Sequence, residues 1–476
     1  MKRMNPLLRT DSYKISHHLM YPGKMNNMYD YIESRGGKWD NTVFFGLQMF
    51  IKRYLMEPFT QTDINEAEWF YYNHFPAVYK GQIFNKKEFE YILQKYGGYF
   101  PVTIKAVSEG SVIPTKNVLV TVECNDPNCP SIVSFLETIM LRDVWYGTTV
   151  CTNSYYQKLT FKKFLEETSD SIDSLTTRLH DFGGRGVSSG ESAMMGGAAH
   201  LVNFLGSDTL EGIEAIRQYY NMRGMPGFSI PATEHSIMAS YGKFNEYDIC
   251  RKMLNKFGVP GGIFAIVNDT YDMKHHVDNI IGEKIFKDKL MKSGATLVTR
   301  PDSGEPSESV LYCLNSLAKS YGYKVNGKGY KVLHPSVRVI QGDGIDAKEL
   351  ENVLIKVKDV GFSAENVAFG SGGGLLQKVN RDDAKFAMKC SAIEVDGEFR
   401  EVFKDPATDS SKKSKKGRLA LYKTIGGEYF TLRQDANKYE LEPVGAIGVL
   451  ETVYKNGVLY RNQTFDEIRK NTELWG

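Results

Sequence analysis

The sequence predicts a closed α/β barrel joined to a second, α+β domain built from both ends of the chain, and two patterns carry that expectation. The first is a phrase that returns in kind from Arg178 onward: a short β-prone run, a cluster of Gly, Asp, Ser or Arg, then a helix-like segment. It reads "RLHDFGGRG", "HLVNFLGSDT", "GFSIPATEHS", "IFAIVNDTYD", "LVTRPDSG", "VRVIQGDG" and "NVAFGSGGG". The second is the helical spacing of apolar residues in intervening segments such as "TLEGIEAIRQYY", "SVLYCLNSLAKSYG" and "DAKELENVLIKVKD". Strand, polar loop and helix in repetition are the mark of parallel βαβ units. So many units in so short a stretch favour a closed ring over an open doubly wound sheet. No GxGxxG opens the first unit, which weakens a dinucleotide-binding reading.

The rest of the chain is mixed. Residues 1–150 carry strand-like runs, "TVFFGL" and "VLVTVEC", and helical ones, "INEAEWFYYNHF" and "KKEFEYILQKYG". A longer helical pattern, "CTNSYYQKLTFKKFLEET", opens the barrel region, expected over 151–382. From 383 the barrel phrase dissolves into a polar basic loop, "KDPATDSSKKSKKGR", then short strands "RLALYKT" and "EYFTLRQ" and a closing helix in "TFDEIRKNTELWG". Residues 383–476 are therefore expected to complete the domain that 1–150 begins.

Composition excludes several classes of function. Lys plus Arg number 59 against 57 for Asp plus Glu, a net charge of +2, so no global field draws the chain to nucleic acid or a membrane. An anion site would have to arise from local clustering. Of six cysteines only Cys124 and Cys129 lie close together, a pattern that reads as reduced thiols in a cytoplasmic protein. The N-terminus lacks the apolar core of a signal peptide, and no window reaches the ~20 apolar residues of a membrane helix.

In a parallel barrel the loops after the strand C-termini converge on one face, and that face holds the site. Here those loops bring His180, Asp181, Arg185, Asp208, Glu234, His235, Asp269, Asp272, Arg300, Asp302 and Asp343, with glycines at 183, 184, 342, 344, 370 and 372–374. The glycines of "FGSGGGLLQK" and "QGDG" allow backbone N–H groups to approach a phosphate. Arg381 and Lys389 follow close behind. Asp302 and Asp343 suit sugar hydroxyls or a developing positive centre. His235 in "PATEHS" pairs naturally with Asp269, a carboxylate that would set the imidazole tautomer. The adjacent His180 and Asp181 admit a metal, but no partner histidine stands at metal-site spacing.

Taken in order, "TDSYK", "YIESRGG", "HDFGGRGVSS", "NFLGSDT", "SIPATEHS", "RPDSG", "VIQGDG", "AFGSGGGLLQK", "KCS" and "FKDPATD…KKGRL" resemble the nicotinamide phosphoribosyltransferases, over nearly the whole chain. The resemblance implies an irregular α/β barrel of the type II phosphoribosyltransferase kind, with a second domain from both termini. It implies a homodimer with active sites at the subunit interface. The implied reaction takes nicotinamide and 5-phosphoribosyl-1-pyrophosphate to nicotinamide mononucleotide and pyrophosphate. Mg²⁺ would accompany the pyrophosphate without a metal site of protein ligands alone, and ATP hydrolysis would drive turnover through a phosphohistidine.

By the same resemblance His235 is that histidine and Asp269 its orienting partner. Phe182 would cover one face of the pyridine ring and Tyr13, from the second subunit, the other. Asp208 would accept from the amide NH₂, with Arg300 near the amide oxygen and Arg185 near ring and phosphate. Asp302 would bind ribose hydroxyls, and Gly342, Asp343 and Gly373 the ribose 5-phosphate region. Arg381, Arg35, Lys389, Lys404 and Lys412 would bind phosphates, some from across the dimer. The chain departs from the family at Gly184, Ala265 and Phe228, where an aromatic, a small hydroxyl residue and a tyrosine are familiar. Other readings are nicotinate phosphoribosyltransferase, a metal-dependent phosphohydrolase built on "HDFGG", and a non-catalytic phosphosugar sensor.

Overall fold

The computed structural model describes residues 4–79, 81–408, 413–435 and 445–473. The chain forms two compact units, one of Met1–Thr152, Gln218–Met222 and Asn380–Gly476, the other of Asn153–Arg217 and Arg223–Val379.

The second unit is the barrel. Strands Leu179–Asp181, Gly206–Ser207, Ile263–Val267, Thr296–Arg300, Val337–Gln341 and Val367–Ser371 pair in parallel, with Asp181 opposite Ser207 and Ser371, and Val267 opposite Arg300. The segment Phe228–Ala232 closes the ring. Phe228 bridges Gly206 on one side and Ala232 bridges Ala265 on the other. "GFSIPATEHS" thus contributes two isolated bridges where a strand is expected, because Pro231 has no N–H to give a ladder. Its carbonyl still accepts from the Ala265 N–H at 2.8 Å, and the Phe228 N–H donates to Leu205 O at 2.7 Å.

Strand alternation sorts the side chains. Phe264, Ile266, Leu297, Val337, Val367 and Phe369 are fully buried on the outer face, as expected of parallel strands covered by helices. Ala265, Val298 and Ile340 form a separate inner cluster, with Phe182, Ile230 and Ala368 against it. The intervening helices begin where the chain supplies caps. Asp346 accepts from the Lys348 and Glu349 N–H groups to start Ala347–Asp359, and Glu305 followed by Pro306 starts Pro306–Tyr321. His200 and Leu201 of the second phrase end the preceding helix, Gly190–Leu201, and Val202–Asn203 turn out of it, leaving only Gly206–Ser207 as strand.

The first unit is built on a seven-stranded antiparallel sheet. Met25–Ser34 is an inner strand of it, with Phe386–Val395 on one side and Val118–Cys124 on the other. Phe386–Val395 falls in the region from 383, where the barrel phrase ends. The helix expected at Cys151 begins at Ile132 and runs to Thr168. No helix among the described residues is long and apolar enough to cross a membrane.

The stretch Gln218–Met222, placed inside the barrel by the sequence, belongs to the first unit. Tyr220 explains this. Its ring is fully buried and stacks on Phe45 at 5.3 Å, and its hydroxyl donates to Glu109 at 2.9 Å. Glu109 is itself buried and also accepts from the N–H groups of Gly46 and Gln48 at 3.1 and 2.6 Å. Burial raises the Glu109 pKa, and the three donors oppose that shift. Glu109→Ala should lower stability to urea by about 3 kcal/mol or more, since three buried donors lose their acceptor. Tyr220→Phe, which removes one donor and leaves the other two satisfied, should cost less.

Candidate active site

The strand Leu179–Asp181 delivers its last side chains in opposite directions. His180 turns to the Thr177 carbonyl, 3.1 Å from Nε2, while the fully buried Asp181 carboxylate accepts from the Gly183 N–H at 2.7 Å. Burial lowers the His180 pKa and pushes Asp181 up to about 6. The pair therefore acts as support on two faces of the strand.

Phe182 follows, its N–H donating to Ser371 O at 2.9 Å. Its ring lies against Gly370, where a Cβ would come within 1.9 Å of the ring edge, and near Gly342, where a Cβ would stand 3.4 Å away. Glycine at 370 is required by that close approach. Beside the ring opens a cavity of about 420 Å³, apolar at its waist through Ala265, Val298, Ile340 and Ala368. Asp208 and Arg300 stand at the strand C-terminal end, and Thr177, Arg178 and Arg338 line the opposite end. Phe182, Asp208 and Arg300 also line a second cavity of about 260 Å³, together with Gly184, Arg185 and Thr209.

Asp208 is fixed through its backbone, whose N–H donates to Asp181 O at 2.9 Å, and it accepts a hydrogen bond from the Ser229 hydroxyl. Next along the ring, Asp269 joins two other predicted residues, His235 and Asp302. Its Oδ1 lies 3.1 Å from His235 Nε2, and its Oδ2 accepts from the Asp302 N–H at 3.2 Å. His235 Nδ1 faces Asp302 Oδ2 at 3.9 Å, and Arg300 Nε faces Asp302 Oδ1 at 3.9 Å. His235 begins the helix His235–Tyr241 and is 47% exposed, whereas the Asp269 side chain is 4% exposed. A buried carboxylate thus holds an accessible imidazole. Gly342 lies by Asp302, Asp343 is exposed beside it, and Gly344 takes φ +69°, the left-handed turn that glycine favours. Space in front of Gly373 is open, and the short helix Gly373–Leu376 starts there.

The first unit holds a separate basic cavity of about 600 Å³, lined by Arg35, Arg381, Lys385, Lys389 and Lys404 with Ser414. Strand pairing assembles it: Tyr31 opposes Lys389, Ser34 opposes Phe386, and the Arg35 N–H donates to Lys385 O at 3.3 Å. Four of the five predicted phosphate cations thus meet in one place; Lys412 lies outside the described residues. Tyr13, on the same unit, is 59% exposed and touches His17 edge-to-face.

Two features escaped the sequence. Lys385 was missed although it stands between predicted cations. Behind Asp269, Asn268 donates its backbone N–H to Arg300 O at 3.0 Å and its amide to His276 Nδ1 at 2.9 Å. The other nitrogen of His276 meets the Cys250 thiol at 3.4 Å. No spacing rule marks this set, since Cys250 comes from a different helix.

A barrel that offers an apolar slot for a flat ring, with carboxylates at its rim, fits the phosphoribosyltransferase class of enzymes. The chain belongs to the nicotinate phosphoribosyltransferase family, whose model matches residues 177–457. A model described as the nicotinamide phosphoribosyltransferase N-terminal domain matches residues 5–104. The chain is 45% identical over 471 residues to a nicotinamide phosphoribosyltransferase of Xanthomonas campestris pv. campestris, covering 98% of each. It is 32% identical to one of Acinetobacter baylyi, covering 98% of this chain and 97% of that one. In fold it is similar to nicotinate-nucleotide pyrophosphorylase from Pyrococcus furiosus, with TM-score 0.63, 16% identity and coverage of 99% and 97%. Human nicotinic acid phosphoribosyltransferase is also similar, with TM-score 0.56, 16% identity and coverage of 98% and 93%.

Burial, with the charge of His275 adding to it, pushes His276 down to about 4. Between that value and the ordinary 6.5, the unfolded chain binds a proton that the folded one refuses. The stability this group contributes is complete above pH 6.5 and is lost as pH falls toward about 4, on the order of 3 kcal/mol. Urea midpoints measured at pH 7 and pH 4.5 should therefore lie closer together in His276→Gln than in the parent.

Proposed function

We propose that the protein transfers the 5-phosphoribosyl group of phosphoribosyl pyrophosphate to nicotinamide, giving nicotinamide mononucleotide and pyrophosphate for NAD salvage. The observation that carries this reading is the cavity between Phe182 and the barrel wall, apolar at its waist and carrying the Asp208 carboxylate at its rim. A flat, neutral ring has little to grip except aromatic faces and apolar walls. Its amide N–H groups would meet Asp208, and its carbonyl Arg300.

As pyrophosphate leaves, positive charge grows on the ribose. Asp302 and Asp343 stand at the strand ends to offset that charge and accept from sugar hydroxyls, and cations stabilise the leaving group. Open space in front of Gly373 leaves the backbone accessible to the 5-phosphate, with Gly342 set between Asp302 and Phe182, and Arg185 borders the ring site. In the homodimer that the family resemblance implies, Tyr13 comes from the second copy, and so do some of the phosphate-binding cations among Arg35, Arg381, Lys389 and Lys404. Mg²⁺ would travel on the pyrophosphate oxygens and offset their charge. Among the described residues no group of three His, Cys, Asp or Glu is placed to hold the ion alone.

For ATP coupling we assign His235 as the residue phosphorylated. Asp269 holds one ring nitrogen and fixes the tautomer that leaves a lone pair on the other. A cytoplasmic setting suits both substrates.

The direct experiment supplies purified protein with Mg²⁺, phosphoribosyl pyrophosphate and either nicotinamide or nicotinate, with and without ATP, and measures mononucleotide. A second reading, preference for nicotinate, draws on the description of the family model, but the ionised Asp208 repels a carboxylate on the ring. Asp208→Asn should shift the kcat/KM ratio toward nicotinate by about tenfold or more, the scale of a hydrogen bond to a charged group. His235→Ala should retain transfer without ATP and lose its stimulation by ATP; stimulation that survives in this variant rules out the phosphohistidine.

A further inference from the structure

We propose that Ser229 is a specificity-determining residue which, with Asp208, reads the substituent of the ring bound in the barrel cavity; this rests on the ring-binding reading above. Ser229 lies on the segment that closes the barrel. The bridge from Phe228 to Gly206 and the hydrogen bond from Ser207 N–H to Phe228 O, 3.1 Å, bring it alongside Asp208. Its hydroxyl donates to Asp208 Oδ1, and both residues line the cavity.

The chemistry follows from proton count. A serine hydroxyl has one proton to donate and two lone pairs to accept with. Here the proton is committed to Asp208 Oδ1, so toward a bound ring Ser229 can only accept. A carboxamide NH₂ carries two N–H groups, and the site offers it two acceptors, Asp208 Oδ2 and Ser229 Oγ. A carboxylate on the ring has no proton and would face both acceptors at once. To donate to that carboxylate, Ser229 would have to abandon Asp208 and leave two anions confronting each other. The pair is therefore polarised for the amide, with Ser229 also fixing the rotamer of Asp208. At the waist Ala265 offers no hydroxyl, and of the hydroxyl residues lining the cavity Ser229 is the one hydrogen-bonded to Asp208.

The test compares the parent, Ser229→Ala, Ser229→Thr, Asp208→Asn and the double variant Asp208→Asn/Ser229→Ala in full-length protein. Each is assayed for kcat and KM with nicotinamide and with nicotinate, using phosphoribosyl pyrophosphate as donor. Ser229→Ala should lower the nicotinamide-to-nicotinate ratio of kcat/KM by about tenfold, mainly through the KM for nicotinamide. Ser229→Thr, which keeps the hydroxyl, should stay within about threefold of the parent ratio. Adding Ser229→Ala to Asp208→Asn should change the ratio by less than about threefold, because the hydroxyl acts with the carboxylate. A fall of less than about threefold in Ser229→Ala, or an equal loss for both rings, overturns the inference while leaving the ring-binding reading intact. A parent protein that uses neither ring overturns both.

Discussion

The strand C-terminal end of the barrel turns on the Asp269 carboxylate. One oxygen holds the His235 imidazole and the other takes the backbone N–H of Asp302, so two loops are tied through a single buried group. That arrangement depends in turn on parallel pairing of Ile263–Val267 with Thr296–Arg300, which sets Val267 opposite Arg300 and starts both loops at one level. Asn268 adds a backbone bond to Arg300 and, through His276, ties the loop to the helix bearing Cys250. The accessible imidazole is thereby oriented by groups that are themselves held, the condition for a site whose geometry survives thermal motion.

A second constraint is emptiness. Barrel interiors are ordinarily filled by bulky side chains in layers. Here the layer at the waist contains Ala265 and Ala368, and Gly370 yields its space to the Phe182 ring. The void forgoes packing that would otherwise stabilise the unit. Burial of Phe264, Ile266, Leu297 and Phe369 on the outer face offsets that loss. Room for a ligand and stability are thus divided between the two faces of the same strands.

Much of this was legible because chemistry and chain order coincide at strand ends. The run "IFAIVND" shows its strand by β-branched and aromatic residues and its loop by Asn and Asp, and the structure follows it closely. The link from Asp269 to His235 was readable as a type of pair, since neighbouring barrel loops converge. What stayed hidden depends on partners far away in sequence. Phe386–Val395 mixes polar and apolar residues without a clear period, because its pairing with Met25–Ser34, with a register shift at Tyr29/Asp30, decides which side chains are covered. Tyr220 looked like the end of a barrel helix, and only the buried acceptor at Glu109 shows why it joins the other unit. Ser229 opens the run "SIPATEHS", but nothing in that run marks its role; its meaning comes from the bridge that sets it beside Asp208.

The pairing of the first strand, Met25–Ser34, has a consequence for how the protein is made. Met25–Ser34 pairs with Val118–Cys124 and with Phe386–Val395, so one neighbour is translated early and the other near the end. At a ribosome moving roughly 5–20 residues per second, the strand waits tens of seconds with one edge open. An open edge is a template for any other extended chain. The barrel unit, contiguous except for a five-residue excursion at Gln218–Met222, finishes emerging during that wait. The nascent chain therefore passes through a state in which its middle, the barrel unit, is complete before the unit that begins and ends the chain, and its exposure to misassembly is greatest at the strand synthesised first.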